Sequence, residues 1–374
     1  MTTADSRFDD IRPYRDDEIP AAMQRIVSDP YFPAVARYVY PDNTVDEVKS
    51  ILLGCRNIYE FQTTVMKQVN EQVIGRTTDG LSFGGIERLD PSKRYLFISN
   101  HRDIVLDSCM LMYILHQNGH RIGEITFGSN LMRGQMVIDI GKSNKMFKVE
   151  RGGTPRQMYL NSIHLSDYIR YALLEKKESV WIAQRNGRTK DGIDRTDQGL
   201  IKMLGLSGGK DRIKALADLN IVPVSVSYEW ESCDILKALE LYSSRDGKPY
   251  VKKPGEDLNS ILTGITQPKG RVHIEICEPL TADDLSVIPE DYVDAQFRHC
   301  VAEIMDKRIC GGYRLYPNAY IAHDIRSGSR RYSDCYTQEQ FNAFKTRLAE
   351  LDKYGNDPVL RDIFLGIYAN PILN

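Results

Sequence analysis

The chain of 374 residues lacks any apolar run of the roughly eighteen residues that a membrane-crossing helix needs. Even Ser108 to Leu115 is too short and leads straight into His116, Gln117 and Asn118. If the protein handles lipid, it is therefore expected to do so from the membrane surface. Paired cysteines are lacking as well. The seven cysteines, at 55, 109, 233, 277, 300, 310 and 335, are an odd number without a Cys-x-x-Cys pair, which argues against a disulfide framework and a zinc site. A reducing cytoplasm fits that usage. Met1 to Arg15 carries Asp5, Asp9 and Asp10 and no apolar stretch, so no secretory leader is expected there. Nor is there an excess of one charge: 49 Lys and Arg stand against 51 Asp and Glu, a net of -2. No overall basic field recruits nucleic acid, and an anionic ligand must be held by a local cluster of cations. His-Glu-x-x-His is absent, and Gly141-Lys-Ser143 has Met136 where the first glycine of a phosphate loop belongs.

What is present is organised around Arg94 to Asp107. Tyr95 to Ser99 is a short, apolar, β-prone run and reads as a buried strand. From Leu106 the apolar residues Leu106, Met110, Ile114 and Leu115 recur at helical spacing. His101, Arg102, Asp103 and Asp107 thus fall at a strand end and on the first turn of a helix, where open α/β sheets carry their active sites. An imidazole there can take a proton from a hydroxyl while a neighbouring carboxylate stabilises the imidazolium. The competing reading is an ordinary helix start, with Asn100 or Asp103 as cap and His101 incidental.

Strand candidates continue at Leu81 to Leu89, Glu124 to Gly128, Phe147 to Val149, Val180 to Ala183, Ile221 to Tyr228 and Arg271 to Cys277. Helical stretches at about 105–118, 130–140, 155–176, 198–205 and 210–218 alternate with them. Such alternation predicts an α/β fold with a mostly parallel sheet flanked by helices. The expected organisation is a helical N-terminal region at 1–78, an α/β domain at 79–309 and a C-terminal helical extension at 310–374. Residues 1 to about 18 are expected to be mobile and 243–264 to be an exposed excursion, both on polar composition.

Three further constellations follow the strands. Met146 to Thr154 ends a short strand in Arg151-Gly152-Gly153, where a guanidinium beside glycines can approach a phosphate. Trp181 to Gly192 runs from a strand into a loop with Arg185, Gly187, Arg188 and Lys190, an anion cradle or a solvated basic loop. Ile221 to Glu229 is a β-branched strand with Pro223 near its start, where the missing N–H is tolerated.

Taken in order, these stretches resemble the conserved blocks of the glycerolipid acyltransferase family, the glycerol-3-phosphate and lysophosphatidate acyltransferases. The likeness spans about residues 95–229. Ser99-Asn-His-Arg-Asp103 with Asp107 is similar to the first block, although five residues separate His101 from Asp107 where the family has four. The Asp role could belong to Asp107 or to Asp103. Phe147 and Arg151 match the second block with one extra residue, and Gly187-Arg188 the third, with Gln184 where the family has Glu and an altered spacing between them. Pro223 belongs to the fourth, whose Ser-Tyr-Glu ending leans toward the glycerol-3-phosphate branch.

The resemblance implies acyl transfer from a thioester, on acyl carrier protein or coenzyme A, to the hydroxyl of glycerol-3-phosphate or a lysophospholipid. His101 would be the general base, oriented by Asp107 or Asp103. Arg151 and Arg188, with Arg102 and Lys190, would hold the acceptor phosphate, while Gln184, Gly187 and Pro223 would be further site positions. It implies no cofactor beyond the acyl thioester, no metal, no nucleic acid, and a cytoplasmic protein held peripherally on the inner face of the membrane. The rival readings are a non-catalytic lipid- or protein-binding module on the same fold, and a metal-dependent hydrolase using His101, Asp103 and Asp107.

Overall fold

The computed structural model describes residues 6–245, 247 and 250–373. Seven strands form one sheet in the order β1-β7-β6-β2-β5-β3-β4, with β1 at Thr78–Gly84, β2 at Leu96–Ser99, β3 at Glu124–Gly128, β4 at Met146–Val149, β5 at Val180–Ala183, β6 at Ile221–Tyr228 and β7 at Gly270–Ile276. All pairings are parallel except β6 with β7, so β1 and β7 run against the other five strands. The short strands are buried on both faces, as a sheet covered by helices requires. Alternate residues supply two cores: Leu96, Ile98, Val180 and Ile182 face the Pro155–Arg170, Gln198–Gly205 and Asp294–Gly311 helices, while Phe97, Trp181 and Val224 face the Leu106–Gln117 helix. The mostly parallel α/β architecture expected from the sequence is thus the fold observed.

Helices before and after the sheet build cores of their own. Residues from Ile19 to Met66 pack into one, and the Asp234–Ser244, Pro317–Ser327, Gln338–Ala349 and Pro358–Ala369 helices share another. Thr44 caps the Val45–Gly54 helix in a reciprocal capping box with Glu47.

Three details depart from the sequence reading. Strand β1 stops at Gly84 because Gly85 turns through φ 76°, and a Cβ there would lie 1.9 Å from the Ile276 carbonyl oxygen. Residues 6–15, expected to be mobile, are docked: Phe8 is 1% exposed among His164, Tyr168 and Tyr171, and the Lys148 N–H donates to the Ile11 carbonyl. That contact covers the β4 edge, which an open sheet would leave unpaired. Within the supposed excursion lies the Glu256–Thr266 helix. The C-terminal helical extension opens with the Pro317–Ser327 helix, started by Pro317 and ended by Gly328 at φ 64°. Phe8→Ala is expected to lower stability by about 3–5 kcal/mol, as for a buried aromatic. Thermal unfolding of the variant checks this.

Candidate active site

Strands β2, β3, β4, β5 and β6 all end on the same side of the sheet, and β2 is its central strand. The backbone leaves β2 at Ser99 and reaches the Leu106–Gln117 helix through six residues, Asn100 to Val105. Asn100 prolongs the sheet with its side chain: its amide oxygen accepts from Val226 N–H at 2.7 Å and its amide nitrogen donates to Val226 O at 3.0 Å. His101 follows, its ring 5.8 Å edge-on from Trp181 and its carbonyl held by the Thr189 N–H at 2.7 Å.

His101 Nδ1 lies 3.0 Å from Asp107 Oδ2. The same oxygen accepts from the backbone N–H groups of Arg102 at 2.7 Å and Asp103 at 2.9 Å, and Oδ1 accepts from the Tyr228 hydroxyl at 2.8 Å. Both Asp107 oxygens are thus acceptors. Nδ1 must therefore carry the imidazole proton, leaving Nε2 as the nitrogen that can accept one. Burial first, then the Asp107 charge, pushes the Tyr228 phenol well above its ordinary range, so it stays a donor. The extra residue between His101 and Asp107 is absorbed in the loop, and the pair still meets.

Asp103 is occupied otherwise. Its Oδ1 accepts from the Val105 and Leu106 N–H groups, both at 2.9 Å, at the helix start, and its Oδ2 accepts from Ser232. It caps the helix and does not reach the imidazole. Among the described residues no three His, Cys, Asp or Glu side chains are arranged to hold a metal ion, and His116 packs against Tyr59. Gly80-Leu-Ser-Phe-Gly84 matches the Gly-x-Ser-x-Gly pattern but is extended strand β1, with the Ser82 hydroxyl bonded across to β7, and is no strand-to-helix elbow.

In front of His101 opens a cavity of about 330 Å³. Ile104, Phe127, Leu131 and Trp181 line one part of it, and Arg151, Arg185, Arg188, Lys190 and Lys252, with Asp257, much of the rest. Lys190 is paired with Glu240 and Lys252 with Asp257. The three guanidinium groups have no carboxylate partner among the described residues. Arg188 is 8% exposed, and its Nη1 is buried with no hydrogen-bond partner. A buried cationic donor left unpaired is costly unless an anion completes it. Gly187, at φ 78°, makes the turn that carries Arg185 and Arg188 into the cavity wall.

Three expected site residues lie elsewhere. Arg102 is fully buried and points away from the cavity, between Asp194 and Glu231 and over the Tyr313 ring. Glu231 also pairs with the buried Lys237, whose ammonium donates to the Arg102 carbonyl at 2.6 Å. Burial disfavours the Arg102 charge, but Asp194, Tyr313 and Glu231 more than offset it and hold its pKa well above normal. Arg102 is a structural cation and not a phosphate ligand. Gln184 is fully buried with both amide atoms unpartnered, outside the cavity wall, and is fixed by backbone bonds to Ser99 and Asp197. Pro223 sits inside β6, in register with Ile98, and does not reach the cavity. Tyr228 was visible in the sequence only as the end of a strand. Asp194, Glu231 and Lys237 carried no local signal, because only the fold brings them to Arg102.

A histidine hydrogen-bonded to a buried carboxylate, facing a cavity lined by guanidinium groups at the strand ends, is an arrangement able to take a proton from a hydroxyl beside an anionic group. Residues 80–227 match the family model described as Acyltransferase. Over that stretch the chain is similar to an acyltransferase domain. The crystal structure of the 1-acyl-sn-glycerophosphate (LPA) acyltransferase PlsC from Thermotoga maritima is similar at 12% identity and a TM-score of 0.40, over 78% of this chain and 93% of that one. No curated protein matches the chain in sequence.

Two substitutions test this geometry. Arg102→Ala should lower stability by about 3–5 kcal/mol, because it strands buried Asp194 and Glu231, without the selective rise in acceptor KM that loss of a phosphate ligand gives. Thermal unfolding alongside kinetics checks both. Tyr228→Phe should lower kcat about tenfold, roughly the worth of one hydrogen bond to a charged group, and leave acceptor KM unchanged in steady-state assays.

Proposed function

We propose that the domain moves a fatty acyl group from a thioester, on acyl carrier protein or coenzyme A, to the hydroxyl of glycerol-3-phosphate or a lysophospholipid. The observation that carries the reading is the pairing of the His101–Asp107 couple with the unpartnered Arg188 guanidinium in one cavity. Arg188, with Arg151 across the cavity, would take the acceptor phosphate, whose oxygens match the guanidinium fork. Lys190 lines the same wall but shares its charge with Glu240, so its part would be smaller.

In the reaction, His101 Nε2 takes the proton of the acceptor hydroxyl as its oxygen attacks the thioester carbonyl. Asp107 offsets the imidazolium charge. The tetrahedral intermediate collapses with expulsion of the thiolate, which takes the proton back from His101; an ester and a thiol result. Ile104, Phe127, Leu131 and Trp181 form an apolar wall suited to the acyl end of the donor. The chemistry needs no cofactor besides the thioester. A cytoplasmic protein working at the inner face of the membrane accords with a lipid product.

Purified protein is offered labelled acyl-carrier-protein and coenzyme A thioesters with glycerol-3-phosphate or lysophosphatidate. His101→Ala should lower kcat by about 10²–10⁴ with the fold intact, the usual worth of a general base. Arg188→Ala should raise acceptor KM roughly 10–100-fold, the equivalent of one charged hydrogen bond. Undiminished turnover by His101→Ala would refute the mechanism.

A further inference from the structure

Residues 151–160, the Arg151-Gly152-Gly153 turn and the start of the Pro155–Arg170 helix, are ten consecutive exposed residues. They include three large apolar side chains in a row: Met158 is 53% exposed, Tyr159 52% and Leu160 53%. Successive helix residues are about 100° apart, so three in a row sweep about 200° of the circumference. A flat protein face covers less than that arc. A layer of lipid headgroups, which closes around whatever enters it, can cover all of it.

This helix tip stands at the rim of the catalytic cavity, because Arg151 lines the cavity itself and a second, adjoining hollow is lined by Arg151, Gly152 and Met158. Lys252 and Asp257 line the same cavity, Asp257 being tied to Asn130 after β3. Around them Val251 is exposed, and so are Leu258 and Leu262, one turn apart on the same side of the Glu256–Thr266 helix. Exposed apolar side chains thus follow cavity-lining residues in two stretches, Met158 to Leu160 and Leu258 with Leu262. The charge is complementary to anionic headgroups: Arg151 and Arg156 lie in a ten-residue stretch with no acidic residue, and Lys252 and Lys253 precede the second stretch, where Glu256 and Asp257 are already engaged by Tyr250 and Lys252. Basic and apolar groups alternating at one edge match the interface of a bilayer, where apolar side chains enter the acyl boundary and cations stay at the phosphates.

We propose that the mouth of the catalytic cavity docks on a bilayer containing anionic phospholipid, with the tip of the Pro155–Arg170 helix and the Leu258–Leu262 side of the Glu256–Thr266 helix both inserted. The inference rests on the acyltransferase reading of the cavity. It gives a lysophospholipid a path from the membrane to His101 without crossing water.

The test is flotation of the full chain with vesicles of equal phosphatidylglycerol and phosphatidylcholine, and of phosphatidylcholine alone. Wild type should float with the anionic vesicles and much less with the neutral ones. Met158→Glu/Tyr159→Glu and Leu258→Glu/Leu262→Glu should each weaken binding about tenfold or more, from the lost apolar insertion of two half-exposed side chains, with thermal unfolding unchanged. Wild type that stays at the bottom of the anionic gradient overturns the proposal, as do both variants floating like wild type. Variants that float normally but no longer accept acyl groups from acyl carrier protein would reassign this face to that acidic protein, and so overturn it too. Flotation needs no turnover. A chain that floats, loses floating with the variants and transfers no acyl group would uphold the surface and refute the enzyme reading.

Discussion

The carboxylate of Asp107 is the point on which the site depends. It is fully buried, and removing an ionised carboxylate from water costs on the order of several kcal/mol. Donors from His101, Tyr228 and two backbone amides offset that, each charged hydrogen bond contributing about 1.5–3 kcal/mol. The donors come from different parts of the fold: the loop after β2 folds back on the first turn of its own helix, and β6 supplies the phenol. The central strand and its neighbour therefore have to be in register before the histidine is oriented. In exchange the imidazole has one tautomer and one free nitrogen, both set before any substrate arrives.

Immediately beyond His101 the fold separates two kinds of cation. Arg102 and Lys237 are locked with Asp194 and Glu231 in a closed, buried arrangement that anchors the loop to the segments after β5 and β6. Tyr368, from the last helix, joins the same region, accepting the Glu231 N–H and donating to Asp234. Arg151, Arg185 and Arg188 are left without carboxylates on the opposite side of the histidine. On a chain whose net charge is only -2, a positive cavity arises because acidic side chains are drawn into structural pairs elsewhere, and Asp257 on its wall is held by Lys252 and Asn130.

The sheet places these groups. Five strands pointing the same way bring their C-terminal ends together, so that His101 after β2, Gly128 of β3, Val149 of β4 and Ala183 of β5 all reach one cavity. The antiparallel pairing of β7 with β6 takes β7 and β1 out of that set, and the site lies over the parallel part. The docked N-terminal segment closes the far edge at β4, beside the turn that carries Arg151.

The sequence by itself determined the strands and the residues at their ends. Runs such as Val180 to Ala183 and Ile221 to Tyr228 are too short and too β-branched to be anything else, and His101 and Arg188 stand where those runs stop. It could not choose between Asp103 and Asp107, because spacing along a loop does not fix which carboxylate turns to the ring. Nor could it tell Arg102 from Arg188, alike in kind and different in surroundings: one pairs with Asp194 and Glu231, the other has its Nη1 buried without a hydrogen-bond partner. Polar composition made residues 6–15 look mobile, since Phe8 and Ile11 reveal their burial only when a helix is there to receive them. Local chemistry is written along the chain, but whether a charge is spent or free depends on partners distant in sequence, and only the tertiary structure decides that.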